Sequence, residues 1–311
     1  MRGLTHEIFT YISNLIQGLG RTAWIGTILG IVWGIHFVIG IQLLLYLCFF
    51  HSINNNNELQ IHYDSISNTS NATTTATHNN TQRQQILFML LQWCTYISCL
   101  CTFHLSEFFI TAIYNPTQAT SDSYLINHSI TYTTAAILSW IEFWIRFVGV
   151  VRRVPILQTF FHLPHYISYI GFGILVIAQC IRSIAMATAG ESFNHLIQTS
   201  KKQNHVLITN GIYRIFRHPS YVGFFYWSIS TQLVLGNVIH VVLYTIASWT
   251  FFNRRIQYEE ESLCQFFPDT YPQYVAQTYM GIPWIKTQIF HVTPTTDRNV
   301  IKHSTDKRKD Q

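Results

Sequence analysis

Charged residues are scarce in this chain of 311 residues. Asp, Glu, Lys and Arg make up 11% of it, against about 25% in ordinary soluble domains. Because 49% of the residues are hydrophobic, the composition excludes a water-covered globular protein and predicts one embedded in a lipid bilayer. The formal net charge is only +5, and the basic residues gather near segment ends, so we expect no nucleic acid partner.

Metal-binding spacings are also missing from the sequence. The chain has six cysteines, but none forms a C-x-x-C pair, so we interpret them as core residues. His162 and His165 flank Pro164, which prevents a regular helical face of metal ligands. We therefore predict no metal site. The first apolar run is too long for a signal peptide and is expected to remain as a membrane span.

Four apolar segments are long enough to cross a bilayer as helices: 24–50, 86–114, about 129–151 and 166–187. Residues 52–85, between the first two, are rich in Asn and Thr, which predicts a disordered loop. The loop contains three N-x-S/T sequons, at Asn68, Asn71 and Asn79. They would be glycosylated only if the loop faces the lumen, and low-complexity drift of the sequence explains them equally well.

Two charges interrupt the third apolar segment. Glu142 and Arg146 stand four residues apart and therefore share a helical face. An ion pair between them would lower the cost of placing either charge in the membrane, so we favour a structural role.

A membrane hairpin is predicted near the C-terminus. Residues 221–235 and 238–252 are apolar, and Gly236-Asn237 between them is a strong turn signal. A hairpin returns both of its ends to the same membrane face. It therefore places R-H-P-S-Y-V-G, which starts at Arg217, beside R-R-I-Q-Y-E-E-E, which starts at Arg254.

These two motifs carry the chemistry of the chain. Pro219 suits the first turn of a helix, whose free N–H groups favour an anionic group of a ligand. Arg255 and Glu259 are again four residues apart. For the first motif the alternative is an ordinary helix start anchored to headgroups, and for the second it is a solvated surface ion pair. A sulfonium cofactor needs carboxylates, N–H donors and aromatic faces, and the aromatic candidates are Tyr213, Tyr221, Tyr226 and Trp227.

Over residues 100–286 the sequence resembles the isoprenylcysteine carboxyl methyltransferases. The resemblance rests on F-H-L-S-E-F-F-I-T-A-I-Y-N-P from Phe103, on T-A-G-E-S-F-N-H from Thr188, and on R-H-P-S-Y-V-G-F-F-Y-W-S-I-S-T-Q from Arg217. Members of this family are membrane enzymes of the endoplasmic reticulum, and they methylate the C-terminal prenylcysteine of processed CaaX proteins. The resemblance therefore implies S-adenosylmethionine as cofactor, prenylated CaaX proteins and the lipid bilayer as partners, and a multi-pass protein of that membrane.

The resemblance also implies a set of site residues. Arg255 would bind the substrate carboxylate and act in catalysis. The S-adenosylmethionine site would be lined by Gln198, His205, Val206, Leu207, Ile208, Tyr213, His218, Pro219, Ser220, Tyr221 and Glu259.

The expected fold is all-α: a polytopic membrane protein of six to eight transmembrane helices, with a cytosol-facing cofactor pocket around the C-terminal hairpin. We divide the chain into an N-terminal membrane segment (1–51), the Asn- and Thr-rich loop (52–85), a transmembrane core (86–189), a cofactor-binding and catalytic region (190–286) and a polar tail (287–311). A phospholipid N-methyltransferase, a membrane sterol reductase-like protein and a non-enzymatic scaffold remain the alternative functions.

Overall fold

The computed structural model describes residues 18–48, 70–126, 130–156, 163–195 and 206–285, with side chains from residue 79 in the second range. Regular structure in these ranges is helical, apart from an isolated bridge between Phe216 and Tyr279. The α-helices are α1 (Gly18–Cys48), α2 (Ser70–Tyr114), α3 (Ile130–Val151), α4 (His165–Ala189), α5 (Pro219–Leu235), α6 (Val238–Phe266) and α7 (Tyr271–Gln277). The all-helical expectation is thus confirmed for the described residues.

Four helical segments are long and apolar enough to cross a membrane: Gly18–Cys48, Asn79–Tyr114, Ile130–Val151 and His165–Ser192. They coincide with the four spans expected from hydropathy. α1 and α2 run antiparallel, since the Trp33 indole N–H donates to Thr102 near mid-helix and Gly40 lies against Cys94. The N-terminal end of α1 therefore lies beside the C-terminal end of α2.

The start of α2 corrects one expectation. A disordered loop was predicted through Gln85, whereas the helix begins at Ser70. Adding residues to an existing helix costs far less than nucleating one, so the apolar span can extend into a polar stretch. Contacts with the end of α3 also hold this part of α2, because the Gln82 amide donates to the Val150 carbonyl (2.9 Å) and Arg153 Nε donates to Gln82 Oε1 (2.7 Å).

α5 and α6 form the two arms of the C-terminal hairpin. α5 ends at Leu235 and is capped by Gly236, whose φ of 72° is in the left-handed region that glycine enters without steric cost. Asn237 precedes α6, and Ser228 and Ser248 contact each other across the arms with their hydroxyl oxygens 3.0 Å apart. The open end of the hairpin consequently brings the start of α5 beside the second half of α6.

The tip of the hairpin is held by α3, and this corrects the expected ion pair between Glu142 and Arg146. The Glu142 carboxylate accepts the backbone N–H groups of Ile239 (2.9 Å) and His240 (3.0 Å), and it also contacts the His240 ring. Arg146 Nη1 donates to the Leu235 carbonyl at 2.9 Å. Each charge thus lies against the helix end of opposite polarity, because α6 offers free N–H groups there and α5 offers free carbonyls.

Glycines allow α4 and α5 to approach each other closely. A Cβ atom on Gly171 of α4 would lie 2.5 Å from the Leu233 Cβ, and one on Gly223 of α5 would lie 2.7 Å from the Arg182 Cβ. Both glycines are buried between the two helices. Small residues of this kind let transmembrane helices pack backbone to backbone. This packing fixes the position of α5, which begins at the candidate site.

Substitution of Gly171 tests this close approach. We expect Gly171→Ala to destabilise the protein by about 1–3 kcal/mol, since the added methyl group must push α5 away. Gly173→Ala is the matched control on the same helix, because a Cβ there meets nothing within 4 Å. Thermal unfolding in detergent measures both. Equal stability of the two variants would contradict the assignment.

Candidate functional site

A cavity of about 700 Å³, open to solvent, lies at the open end of the α5–α6 hairpin. Its walls come from the end of α4 and the segment after it, from residues 206–221, from α6 and from α7. The lining residues are Ala189, Ser192, Phe193, Asn194, Val206, Leu207, Ile208, Tyr213, Arg217, His218, Ser220, Tyr221, Glu259, Leu263, Tyr271 and Tyr274. We call it the first cavity.

The elements around the first cavity are tied together by backbone contacts. The Arg217 N–H donates to the Tyr279 carbonyl (3.1 Å), and the Tyr279 N–H donates to the Ile215 carbonyl (2.9 Å). The Tyr274 hydroxyl donates to the Tyr213 carbonyl at 2.7 Å. The segment before α5 is therefore fixed to α7 and to the chain that follows it.

A buried charge cluster holds the start of α5 against α6. The Glu260 carboxylate accepts Arg217 Nε at 2.6 Å and lies 3.1 Å from His218 Nε2. Burial alone would raise the pKa of Glu260, but the His218 and Arg217 contacts outweigh it and hold this pKa below its ordinary value. Glu260 is therefore ionised at neutral pH and balances the Arg217 guanidinium at the start of α5.

Tyr221 connects the side chains of Arg255 and Glu259. Its hydroxyl donates to the Glu259 carboxylate and accepts Arg255 Nε at 2.8 Å. No direct ion pair within 4 Å joins Arg255 and Glu259 in the described structure, so the alternative of a solvated ion pair between them does not hold. The reason is that the phenol from α5 enters between the two side chains.

Arg255 lines a second cavity that adjoins the first. The second cavity has about 420 Å³ of empty space, part of it open to solvent, and both cavities are lined by Phe193, Asn194, Ser220 and Tyr221. Its other lining residues are Leu125, Arg182, His195, Phe224, Phe251, Phe252 and Arg255. Arg255 and Glu259 thus lie on opposite sides of the Tyr221 wall, one turn apart on α6.

Most of the residues predicted for the site are brought together. Arg255 lines the second cavity, whereas the first is lined by Val206, Leu207, Ile208, Tyr213, His218, Ser220, Tyr221 and Glu259. Pro219 is buried in the first turn of α5 and does not line either cavity. Gln198 and His205 lie outside the described residues.

Two aromatic candidates have packing roles instead. The Trp227 ring packs on Phe103 with the ring centres 4.2 Å apart. The Tyr226 hydroxyl donates to the Gly281 carbonyl at 3.2 Å. Both side chains pack against other apolar residues, and neither lines one of the two cavities.

Sequence reasoning missed several residues that line the cavities, among them Arg182, Arg217, Tyr271 and Tyr274. Arg182 carried a usable signal, since an arginine within an apolar span is costly and therefore usually functional or paired. Tyr271 and Tyr274 of α7 carried no such signal in the sequence. Their position depends on the fold of residues 267–279.

The donor set of the first cavity fits a nucleoside that also carries charged groups. Glu259 offers a carboxylate, Tyr213 and Tyr221 offer aromatic faces, and Leu207 and Leu263 are apolar. The Tyr271 hydroxyl is buried and has no hydrogen-bond partner in the described structure, which leaves it available to a ligand. Within the described residues no three His, Cys, Asp or Glu side chains are grouped to hold a metal ion.

Comparison with known proteins identifies the family. The sequence model of the isoprenylcysteine carboxyl methyltransferase family matches residues 169–265. A protein-S-isoprenylcysteine O-methyltransferase of Dictyostelium discoideum is 44% identical over 190 residues, which are 61% of this chain and 76% of that protein. The chain belongs to this family. The resemblance drawn from residues 100–286 is thereby confirmed.

Two further comparisons support the same family assignment. The protein-S-isoprenylcysteine O-methyltransferase of Tribolium castaneum is 46% identical over 191 residues, which are 61% of this chain and 65% of that protein. The match thus spans slightly less than two thirds of that relative's length. The solved structure of a eukaryotic intramembrane Ras methyltransferase matches with a TM-score of 0.58 and 32% identity, covering 83% of this chain and 98% of that one.

Proposed function

We propose that this chain transfers a methyl group from S-adenosylmethionine to the C-terminal carboxylate of prenylated cysteine in processed CaaX proteins, giving a methyl ester. One observation carries the proposal: Arg255 lies in an aromatic-walled cavity that shares Tyr221 with a cavity suited to the cofactor. Family membership supports the same reaction.

The first cavity would hold S-adenosylmethionine. Glu259 would face its positive groups, and the apolar residues near α7 would surround the adenine. The residues predicted from the resemblance remain the proposed set, including Gln198 and His205. Tyr271 is an addition to it, because its buried hydroxyl needs a partner.

The charge of the second cavity favours an acid as acceptor. Arg255 Nε donates to the Tyr221 hydroxyl and its Nη2 donates to the His195 carbonyl, so both of its hydrogen-bond acceptors are neutral. A guanidinium held in this way keeps its full charge for a carboxylate. The same cation would repel the protonated amine of a phospholipid, which disfavours the N-methyltransferase alternative.

Methylation of a carboxylate requires no general base, since the acid is already ionised at neutral pH. When bound, S-adenosylmethionine supplies a methyl group on positively charged sulfur, and one C–O bond forms as the C–S bond breaks. Arg255 would orient the carboxylate by binding one oxygen and leaving the other free. Phe224, Phe251 and Phe252 would exclude water and thereby strengthen the attraction between opposite charges.

The two hairpin arms would add to the four spans and give at least six membrane passes. α5 is about 25 Å long, which suits a tilted or locally thinned crossing. The described segments on the face of the cavities contain basic residues, including Arg214 and Arg254. By the positive-inside rule this face would be cytosolic, and the endoplasmic reticulum is the proposed membrane. The prenyl chain would enter from the lipid.

Transfer of labelled methyl groups tests the proposal. Membranes that contain the chain receive labelled S-adenosylmethionine with N-acetyl-S-farnesylcysteine or with phosphatidylethanolamine. The expected result is a base-labile ester on farnesylcysteine, and none on its carboxyl-blocked methyl ester. Label on the phospholipid alone would support the N-methyltransferase instead, and label on neither acceptor would refute methyl transfer to both.

A further inference from the structure

Two guanidinium groups line the second cavity, although a single substrate carboxylate carries one negative charge. Arg182 comes from α4 and Arg255 from α6. If both were equally available, the carboxylate would have two competing anchors. The structure distinguishes them by their partners.

Arg182 is fully engaged by α2 and α5. Its Nε donates to Glu107 Oε1, and its Nη2 donates to Glu107 Oε2 at 2.8 Å. Its Nη1 donates to Ser220 at the hydroxyl (2.9 Å) and at the carbonyl (3.2 Å). These bonds use four of the five N–H groups of the guanidinium. Glu107 is 1% exposed and binds Arg182 through both carboxylate oxygens, and its Oε2 also lies 3.9 Å from His195 Nδ1.

Arg255 has the opposite environment. It donates one bond to a phenol oxygen and one to a backbone carbonyl, and no carboxylate of the described residues lies within 4 Å of it. The Glu259 carboxylate is linked to it only through the Tyr221 hydroxyl, so no direct contact with a carboxylate neutralises its charge. The cavity holds one neutralised and one available guanidinium.

We propose that Glu107 sets the charge selectivity of the second cavity: by neutralising Arg182, it leaves Arg255 as the anchor for a singly charged carboxylate. Glu107 does not line the cavity and acts through Arg182, so it is a positioning residue. The inference rests on the proposed function for the identity of the acceptor. The charge balance itself is independent of that identity.

Removal of one partner at a time should shift ligand affinity in opposite directions. In Glu107→Gln the second guanidinium becomes available, and farnesyl phosphate, a doubly charged probe, should bind about tenfold to a hundredfold more tightly. Transfer to N-acetyl-S-farnesylcysteine should fall about tenfold in kcat with no rise in KM, because the carboxylate is drawn away from Tyr221. In Arg182→Gln the Glu107 charge is uncompensated, so both anionic ligands should bind more weakly.

The double variant Glu107→Gln/Arg182→Gln separates charge from structural damage. It contains no uncompensated buried charge at this position and should fold better than either single variant. We expect the affinity for farnesyl phosphate to return to within about threefold of the unsubstituted chain, and part of the lost kcat to return with it. Thermal unfolding in detergent verifies that each variant is folded.

Two results would overturn the inference. One is weaker binding of farnesyl phosphate by folded Glu107→Gln; the other is a folded double variant that still binds the probe as Glu107→Gln does. Probe binding is measured directly by calorimetry with the full chain. A failure of the proposed methyl transfer would leave the unsubstituted chain inactive toward farnesylcysteine, and the binding pattern would still test the charge balance.

Discussion

Replacement of Arg255 by alanine is expected to lower methyl transfer to N-acetyl-S-farnesylcysteine by about 10²–10³-fold, with S-adenosylmethionine binding retained. The guanidinium is the available cation of the second cavity, and the cofactor would bind on the other side of the Tyr221 wall. Steady-state kinetics measures the transfer, and calorimetry measures cofactor binding. Arg255→Lys should recover only part of the activity, since lysine keeps the charge but loses the planar fork.

Arg254→Ala is the matched control for this experiment. Arg254 precedes Arg255 on α6 and is exposed. Its removal changes the net charge equally without touching either cavity, so activity should stay within about twofold of the unsubstituted chain. Loss of cofactor binding by Arg255→Ala would contradict the division of roles between the cavities.

Glu259→Gln is expected to weaken S-adenosylmethionine binding by about 10–100-fold, which corresponds to the loss of a hydrogen bond to a charged group. Glutamine can still accept a hydrogen bond from the Tyr221 hydroxyl, so the variant removes the charge and keeps that contact. The KM for farnesylcysteine should change little. Direct binding of the cofactor to the full chain provides the measurement.

Glu261→Gln controls for the change in charge. Glu261 is exposed two positions along α6 from Glu259. We expect cofactor affinity to be unchanged in this variant. Equal effects of the two substitutions, or an effect of Glu259→Gln on the acceptor alone, would contradict the assignment of Glu259 to the cofactor.

Hydropathy was sufficient to predict the main helices, because the length of an apolar run determines whether it can cross a bilayer. The four spans and the turn at Gly236-Asn237 lie where these signals place them. The start of α2 at Ser70 was missed because residues 70–85 are polar, and polar composition predicts a loop. Composition does not report that an adjacent helix can extend through them.

Charge partners could not be predicted from spacing. Glu142 and Arg146, like Arg255 and Glu259, share a helical face, but their partners come from other helices. Glu107 and Arg182 are 75 positions apart in the chain, so no local pattern connects them. The i,i+4 rule describes an isolated helix. In the folded chain, tertiary packing instead provides the backbone groups at helix ends and the Tyr221 hydroxyl as hydrogen-bond partners.

The tip of the α5–α6 hairpin has a consequence for the bilayer. Its backbone groups that lack partners within the helices are satisfied by Glu142 and Arg146 of α3, so this turn needs neither water nor lipid headgroups to stabilise it. In the proposed membrane arrangement, the hairpin would therefore end short of the far headgroup layer. Changes in bilayer thickness would act on α1–α4, while the arms that carry Tyr221, Arg255 and Glu259 keep their depth relative to the cavity face.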